Sequence, residues 1–103
     1  MNDTTESPRT DFMAQQFKDA EKYCPSHMRG ALDSYYNHGI YPGSFLASVL
    51  ANDFSAAAQH ADHINATALK EWGYVLSALP RICWGSPEKV EQWMEMDGMS
   101  GIR

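Results

Sequence analysis

The segment Ala68–Leu79, ALKEWGYVLSAL, carries the strongest helical pattern in the chain. Its apolar residues recur at the spacing that gathers side chains onto one face of an α-helix. They are Ala68, Leu69, Trp72, Val75, Leu76 and Leu79. Because Pro80 follows directly and proline cannot continue a helix, the segment predicts an amphipathic helix that ends there. Such a helix needs other elements against which to bury its apolar face.

Weaker patterns of the same kind cover most of the remaining sequence. Their apolar residues are Phe12, Met13, Phe17, Ala20 and Tyr23; Met28, Ala31, Leu32, Tyr35 and Tyr36; Phe45, Leu46, Val49 and Leu50; Phe54, Ala57, Ala58 and Ala61; and Val90, Trp93 and Met94. No run of alternating β-branched residues predicts a strand. The sequence therefore predicts an all-α fold, a compact bundle of about five or six short helices.

Turn and capping residues divide these helices. The residues suited to begin a helix are Asp11, Ser26, Pro42, Asn52-Asp53 and Ser86-Pro87. Serine, aspartate and asparagine accept hydrogen bonds from first-turn N–H groups, and proline suits the first turn itself. Gly39 suits a left-handed helix end, and Cys24-Pro25 disfavours helix continuation.

Length and composition set the domain organisation. The chain has 103 residues, enough for one domain and too few for two, and 44% of them are hydrophobic, too many for a disordered chain. We assign residues 1–9 to a flexible N-terminal tail, 10–96 to a single helical domain and 97–103 to a C-terminal tail. The net charge of −5 argues against general nucleic-acid binding. Since no apolar signal or membrane-spanning run is visible, we expect a cytoplasmic protein with no membrane partner.

The motifs of catalysis and metal binding are incomplete. His60 and His63 share a helical face, but zinc needs about three or four ligands, and no HExxH or paired CxxC motif is present. A Gly-x-Ser-x-Gly elbow and a P-loop are also missing. Cys24 and Cys83 suit small buried hydrophobes better than a disulfide. We therefore predict no enzyme, no metal and no cofactor.

Two turns share an unusual composition. Tyr41-Pro42-Gly43-Ser44 and Trp84-Gly85-Ser86-Pro87 each place an aromatic residue, a glycine, a serine and a proline at a predicted helix start. Helix N-termini present unpaired N–H groups and a partial positive charge, which suit an anion. Together with a ring for stacking, they predict a site for a phosphorylated nucleotide, with Arg29, Lys89 or Arg81 as counter-charge. Ordinary helix capping is the alternative.

Three polar residues also have two interpretations. Asp62 and Asn65 suit a reciprocal cap between two helical segments. Alternatively, Asn52, Asp62 and Asn65 line a polar pocket and form hydrogen bonds with a ligand. With the two turns, the candidate ligand-binding residues are Arg29, Tyr41, Gly43, Ser44, Phe45, Asn52, Asp62, Asn65, Trp84, Gly85, Ser86 and Lys89.

Four stretches form a pattern when taken together. They are His38–Leu46 (HGIYPGSFL), Val49–Asp53 (VLAND), Ala61-Asp62 with Asn65, and Cys83–Val90 (CWGSPEKV). Across residues 26–94 the combination resembles a family of small, mostly uncharacterised bacteriophage and prophage proteins. The resemblance implies a bacterial host cytoplasm and an accessory role such as countering a host defence. It implies no catalytic residues.

Three functions follow from these observations. The first is a non-enzymatic phage-type accessory protein that counters host defence by binding and sequestering a small nucleotide-derived signal. The second is an inhibitor or regulator that docks on a host or phage protein, as anti-CRISPR proteins do. The third is a small nucleotide hydrolase, supported only by scattered His, Asp and Cys residues. A small chain with many large apolar residues also predicts a homodimer or higher homo-oligomer.

Overall fold

The computed structural model describes residues 8–102, and helices joined by short turns make up this part of the chain. In order, the helices are α1 (Pro8–Glu21), α2 (Arg29–His38), α3 (Ser44–Leu50), α4 (Phe54–His60), α5 (His63–Thr67), α6 (Leu69–Ala78), α7 (Pro87–Glu95) and α8 (Met99–Ile102). Short 3₁₀ turns at Ser26–Met28 and Arg81–Cys83 precede α2 and follow α6. No strand occurs between residues 8 and 102, and the predicted all-α class is confirmed.

The described residues contain more helices than the five or six predicted. A break at Ala68 separates α5 from α6, and α8 forms within the predicted C-terminal tail. Because Met99 of α8 is fully buried in the core, this segment is packed, and its prediction as a tail is wrong. At the other end, residues 1–7 of the predicted N-terminal tail lie outside the described residues, and α1 begins at Pro8.

Local side-chain chemistry sets several helix boundaries as predicted. A side-chain oxygen accepts a hydrogen bond from the backbone N–H three residues further on at Asp53, Asp62 and Ser86, over 3.1, 2.7 and 3.2 Å. Gly39 ends α2 in the left-handed conformation, with φ of 68°. Each cap satisfies a backbone group that a helix end leaves without an intrahelical partner.

Three other predicted boundaries are wrong. Asp11 lies inside the first turn of α1 and does not precede it. Ser26 lies within the first 3₁₀ turn, and neither that turn nor α2 has a side-chain cap. Pro42 lies before α3, whose N-cap is Gly43 with φ of 93°. This positive φ explains the glycine at position 43, because residues with a Cβ rarely adopt it.

The C-terminal turn of α2 lies at the centre of the core. The buried Tyr35 and Tyr36 donate their hydroxyls to the carbonyls of Cys83 and Met13, over 2.6 and 2.9 Å. The Trp93 indole N–H donates to the carbonyls of Tyr35 and Tyr36, over 3.1 and 3.2 Å. One turn of α2 is thus bonded to α1, to the second 3₁₀ turn and to α7.

Helix α6 buries the face predicted from its sequence. Trp72, Val75 and Leu79 are all at most 2% exposed, and the Trp72 ring meets Phe45 of α3 edge to face, with centroids 5.5 Å apart. Leu69 at the start of α6 is 42% exposed, so the apolar face extends beyond what the core covers. None of the helices between residues 8 and 102 has the length and apolarity that a bilayer-spanning segment requires.

Two glycines allow the ends of α2 and α7 to touch. Gly39 and Gly98 both have positive φ, 68° and 59°. A Cβ at Gly98 would lie 2.6 Å from the Tyr36 carbonyl oxygen, and one at Gly39 would lie 2.8 Å from that of Met94. Both distances are too short for non-bonded atoms, so only glycine fits at either position.

We expect Gly98→Ala to lower the free energy of unfolding by at least ~2 kcal/mol, because it combines left-handed backbone strain with a backbone clash. Gly30→Ala is the matched control, since an added Cβ there has no heavy atom within 4 Å. The control should be neutral or gain up to about 1 kcal/mol from helix propensity. Urea unfolding followed by circular dichroism measures both variants, and equal stabilities would contradict this account.

Candidate functional site

The second candidate turn, Trp84–Pro87, connects the second 3₁₀ turn to α7. The Gly85 N–H donates to the carbonyl of Leu50 at the end of α3, over 2.8 Å. The Ser86 hydroxyl caps α7, and Pro87 has no N–H to offer. The Gly85 N–H and the Ser86 oxygen are thus engaged within the protein, and side chains are the charged groups that this turn presents.

Two cations lie beside this turn. The guanidinium carbon of Arg81 is 4.7 Å from the centre of the partly buried Trp84 ring, a cation–π distance. The Lys89 ammonium donates to the Arg81 carbonyl over 3.1 Å, and its Nζ would lie 3.6 Å from a Cβ added at Gly85. We call Arg81, Trp84, Gly85 and Lys89 the cationic turn.

Neither cation of this turn has an acidic partner among residues 8–102. The ion pairs among the side chains of residues 11–102 join Lys22 to Asp19 and His27 to Asp62. The Arg81 side chain also donates no hydrogen bond to the described residues, while Lys89 donates to the Arg81 carbonyl. Two uncompensated positive charges at one turn repel each other, although the chain as a whole is acidic, with net charge −5. The turn is therefore suited to a negatively charged group.

The first candidate turn borders a different surface. Tyr41, 60% exposed, and Ser44 line a groove of about 380 Å³ between α3 and α7. Pro87 is the member of the second turn that reaches this groove. Asp53 and Glu91 add two carboxylates to its lining, which contains no lysine or arginine. The charges of this groove therefore disfavour an anion.

Several other predicted residues lie on neither surface. Arg29 donates its Nε–H to the Cys24 carbonyl over 3.3 Å and lines a shallow depression with Lys18. Phe45 is buried and belongs to the core. Asn52 is exposed with φ of 62° and lines an apolar groove between α4 and α6. The structure thus separates the predicted site residues and leaves Trp84, Gly85 and Lys89 together.

Asp62 and Asn65 have separate structural roles. The Asp62 carboxylate caps α5 and lies 3.1 Å from the His27 ring, and the Asn65 N–H together with this ring holds the pKa of Asp62 below its usual value. Asn65 is 2% exposed, and its side-chain oxygen accepts a hydrogen bond from the Trp72 indole over 3.2 Å. Half of the reciprocal cap is therefore confirmed. The predicted return bond from the Asn65 side chain to Asp62 is wrong, because the Asn65 side chain is buried and bonded to Trp72. For the same reason, the prediction that Asn65 lines a ligand pocket is wrong.

The two thiols are poor nucleophiles. Cys24 and Cys83 are free and buried, as predicted for small core residues. Burial raises the pKa of the Cys24 thiol to about 11 and that of Cys83 to about 12. Because the thiolate is the reactive form, neither thiol is activated near neutral pH. In the described part of the chain, no three His, Cys, Asp or Glu side chains converge on a metal position.

Sequence reasoning named Arg81 only as one of several counter-charges. The sequence contains a signal for the contact between Arg81 and Trp84. Arg81 directly follows Pro80 and lies three positions before Trp84. Residues three apart in a helical turn lie on one side of it. The arginine nearest to the ring was therefore a better candidate than Arg29.

Comparison with known proteins gives no match. No protein-family model, no curated protein and no solved structure matches this chain.

We expect both thiols to react with Ellman's reagent at least about a hundredfold more slowly in the folded protein than in urea, at about pH 8, because burial keeps them protonated and inaccessible. The unfolded chain provides the control, since it should release two thiol equivalents. Rapid reaction of either cysteine in the folded protein would show that it is exposed.

We also expect stability to fall in alkaline solution. Each folded thiol has a pKa above its ordinary value of 9.0, so the folded protein retains a proton that the unfolded chain releases. The stabilisation is complete below about pH 9 and declines as pH rises toward the folded pKa, by up to about 1.4 kcal/mol per pH unit for each thiol. Urea unfolding across this range measures the slope, and a Cys24→Ala/Cys83→Ala chain should lose that thiol contribution. An unchanged slope in that variant would contradict the assignment.

Proposed function

We propose that the protein is a non-enzymatic accessory protein that binds and sequesters a small nucleotide-derived ligand at the cationic turn. The observation that carries this proposal is the pair of cations, Arg81 and Lys89, without an acidic partner in the described residues and beside the Trp84 ring. Phosphate supplies the missing negative charge, and a nucleobase supplies a flat surface for stacking.

The side chains of the cationic turn suit the two halves of a nucleotide. The planar guanidinium of Arg81 matches two phosphate oxygens, and the Lys89 ammonium adds a point charge. Both the Trp84 ring and the Arg81 plane are surfaces on which a base stacks. The Gly85 N–H donates to the Leu50 carbonyl and the Ser86 oxygen accepts the Lys89 N–H, so the proposal assigns the ligand to the side chains of Arg81, Trp84 and Lys89.

The chemistry near this turn favours binding without turnover. The Ser86 hydroxyl accepts a hydrogen bond as a helix cap, and burial keeps the Cys83 thiol protonated with a pKa of about 12. Neither is an activated nucleophile. Together with the resemblance to phage proteins, this favours a protein that lowers the free concentration of a host signal. A small nucleotide hydrolase has less support.

Docking on a host or phage protein is the second candidate function. Phe12 and Ile64 are 65% and 54% exposed, which favours a surface that another protein covers. Isolated exposed apolar residues are nevertheless ordinary on protein surfaces. The paired cations therefore give the nucleotide proposal the stronger support.

Calorimetric titration with a panel of linear and cyclic nucleotides tests the nucleotide proposal. We expect at least one member to bind, and we expect Arg81→Gln to weaken its binding by roughly tenfold to a hundredfold. The reason is that a charge-assisted hydrogen bond contributes about 1.5–3 kcal/mol. Trp84→Leu should also lower the affinity, because it removes the stacking ring.

Arg29→Gln is the matched control, because it removes the same charge from the surface that Lys18 shares and should leave the affinity unchanged. Chromatography of the recovered ligand should show intact nucleotide, whereas turnover would favour the hydrolase. The proposal fails if no nucleotide binds to the folded protein, or if Arg29→Gln and Arg81→Gln weaken binding equally.

A further inference from the structure

An apolar groove opens between α4 and α6. Phe54 and Ala57 line it on one side, and Leu69, Gly73 and Leu76 line it on the other, with Trp72 at its base. Its volume is about 180 Å³. A cavity of roughly 150 Å³ with similar apolar walls holds a benzene ring, so this groove accommodates one aromatic side chain.

Gly73 keeps this groove open. It lies in the middle of α6 without a left-handed φ, and an added Cβ would meet no heavy atom within 4 Å. Neither backbone conformation nor packing in the described chain requires glycine here. Glycine inside a helix costs about 1 kcal/mol relative to alanine. The space above Gly73 is therefore suited to an apolar group from outside this chain.

Phe54 provides an apolar group of matching size. It is the first residue of α4, and its side chain is 71% exposed at the rim of the groove. The same patch thus contains a protruding aromatic ring and a cavity of ring size. A twofold interface brings one patch against its own copy, so it requires this kind of self-complementarity.

Two residues of opposite charge lie next to Phe54 and Leu69 in the sequence. Asp53 lines the groove on the α4 side, while Lys70 follows the rim residue Leu69 on α6. Both are exposed, and neither has an ion-pair partner among residues 8–102. If Phe54 of each copy enters the opposite groove, Asp53 of one copy approaches Lys70 of the other. This pairing offsets part of the repulsion between two chains of net charge −5.

We propose that this groove is an interface between two copies of the chain, in which each copy inserts its Phe54 ring into the other's groove across a twofold axis. The interface shares no residue with the cationic turn. Its tests are therefore independent of nucleotide binding.

Sedimentation equilibrium of the wild-type chain and of Phe54→Ser tests the interface. We expect the wild type to self-associate at micromolar concentrations and Phe54→Ser to raise the dissociation constant by roughly a hundredfold or more, because each dimer loses two buried rings. Ile40→Ser is the matched control. Ile40 is 55% exposed and lies outside the groove, so its variant should associate like the wild type.

Two further variants test the cavity and the charges. Gly73→Met fills the groove from its own helix and should abolish association, while the higher helix propensity of methionine maintains the fold. Lys70→Glu should weaken association by roughly tenfold. Asp53→Asn in the same chain should recover part of that loss, because asparagine keeps the helix cap but removes the repulsion.

A larger assembly that Phe54→Ser splits into smaller units supports the proposal in the same way as a dimer. The proposal is overturned if the wild type remains monomeric up to about millimolar concentrations, where even weak association is detectable. Association that is insensitive to both Phe54→Ser and Gly73→Met overturns it as well. Phe54-dependent capture of a different protein by a monomeric wild type would assign the groove to that partner and reject the second copy.

Discussion

The indole N–H of Trp93 donates to two carbonyls in the last turn of α2, and the arrangement of the other helices depends on this contact. The Tyr35 carbonyl also accepts the Gly39 N–H over 2.9 Å, so the indole adds a further hydrogen bond at a helix end, where the last carbonyls have no partners within the regular helix. Trp93 reaches them only if the backbones of α2 and α7 almost touch. That approach excludes a Cβ at Gly39 and Gly98, so two glycines and one tryptophan form a single constraint.

The same turn of α2 positions the surface proposed to bind a ligand. The Tyr35 hydroxyl fixes the Cys83 carbonyl over 2.6 Å, and the Leu50 carbonyl fixes the Gly85 N–H over 2.8 Å. Trp84 lies between these two fixed points, and its own indole donates to the Leu79 carbonyl over 3.2 Å. The stacking ring of the cationic turn therefore has a rigid support, and preorganised side chains lose little freedom when a ligand binds.

The sequence predicts features whose cause is local. The α6 face and the caps at Asp53, Asp62 and Ser86 depend on residues within one or two helical turns. Features that depend on distant residues are not predictable in this way. Met99 of α8 packs into the core, and the Asn65 side-chain oxygen accepts a hydrogen bond from Trp72 on the next helix. The role of Arg81 is partly predictable. The sequence shows its spacing to Trp84, but it does not show that Arg81 lacks an acidic partner in the described residues.

Two surfaces of the described chain contain groups whose physical requirements the chain does not meet by itself. Among the side chains of residues 11–102, no buried nitrogen or oxygen lacks a hydrogen-bond partner. Against this background, the uncompensated cations of the cationic turn and the helical glycine and exposed ring of the apolar groove are departures from what stability favours. Natural sequences retain such departures mainly where a binding partner compensates for them. One surface lacks a negative charge and the other lacks an apolar ring, and for this reason we propose a phosphate-bearing ligand for the first surface and a second copy for the other.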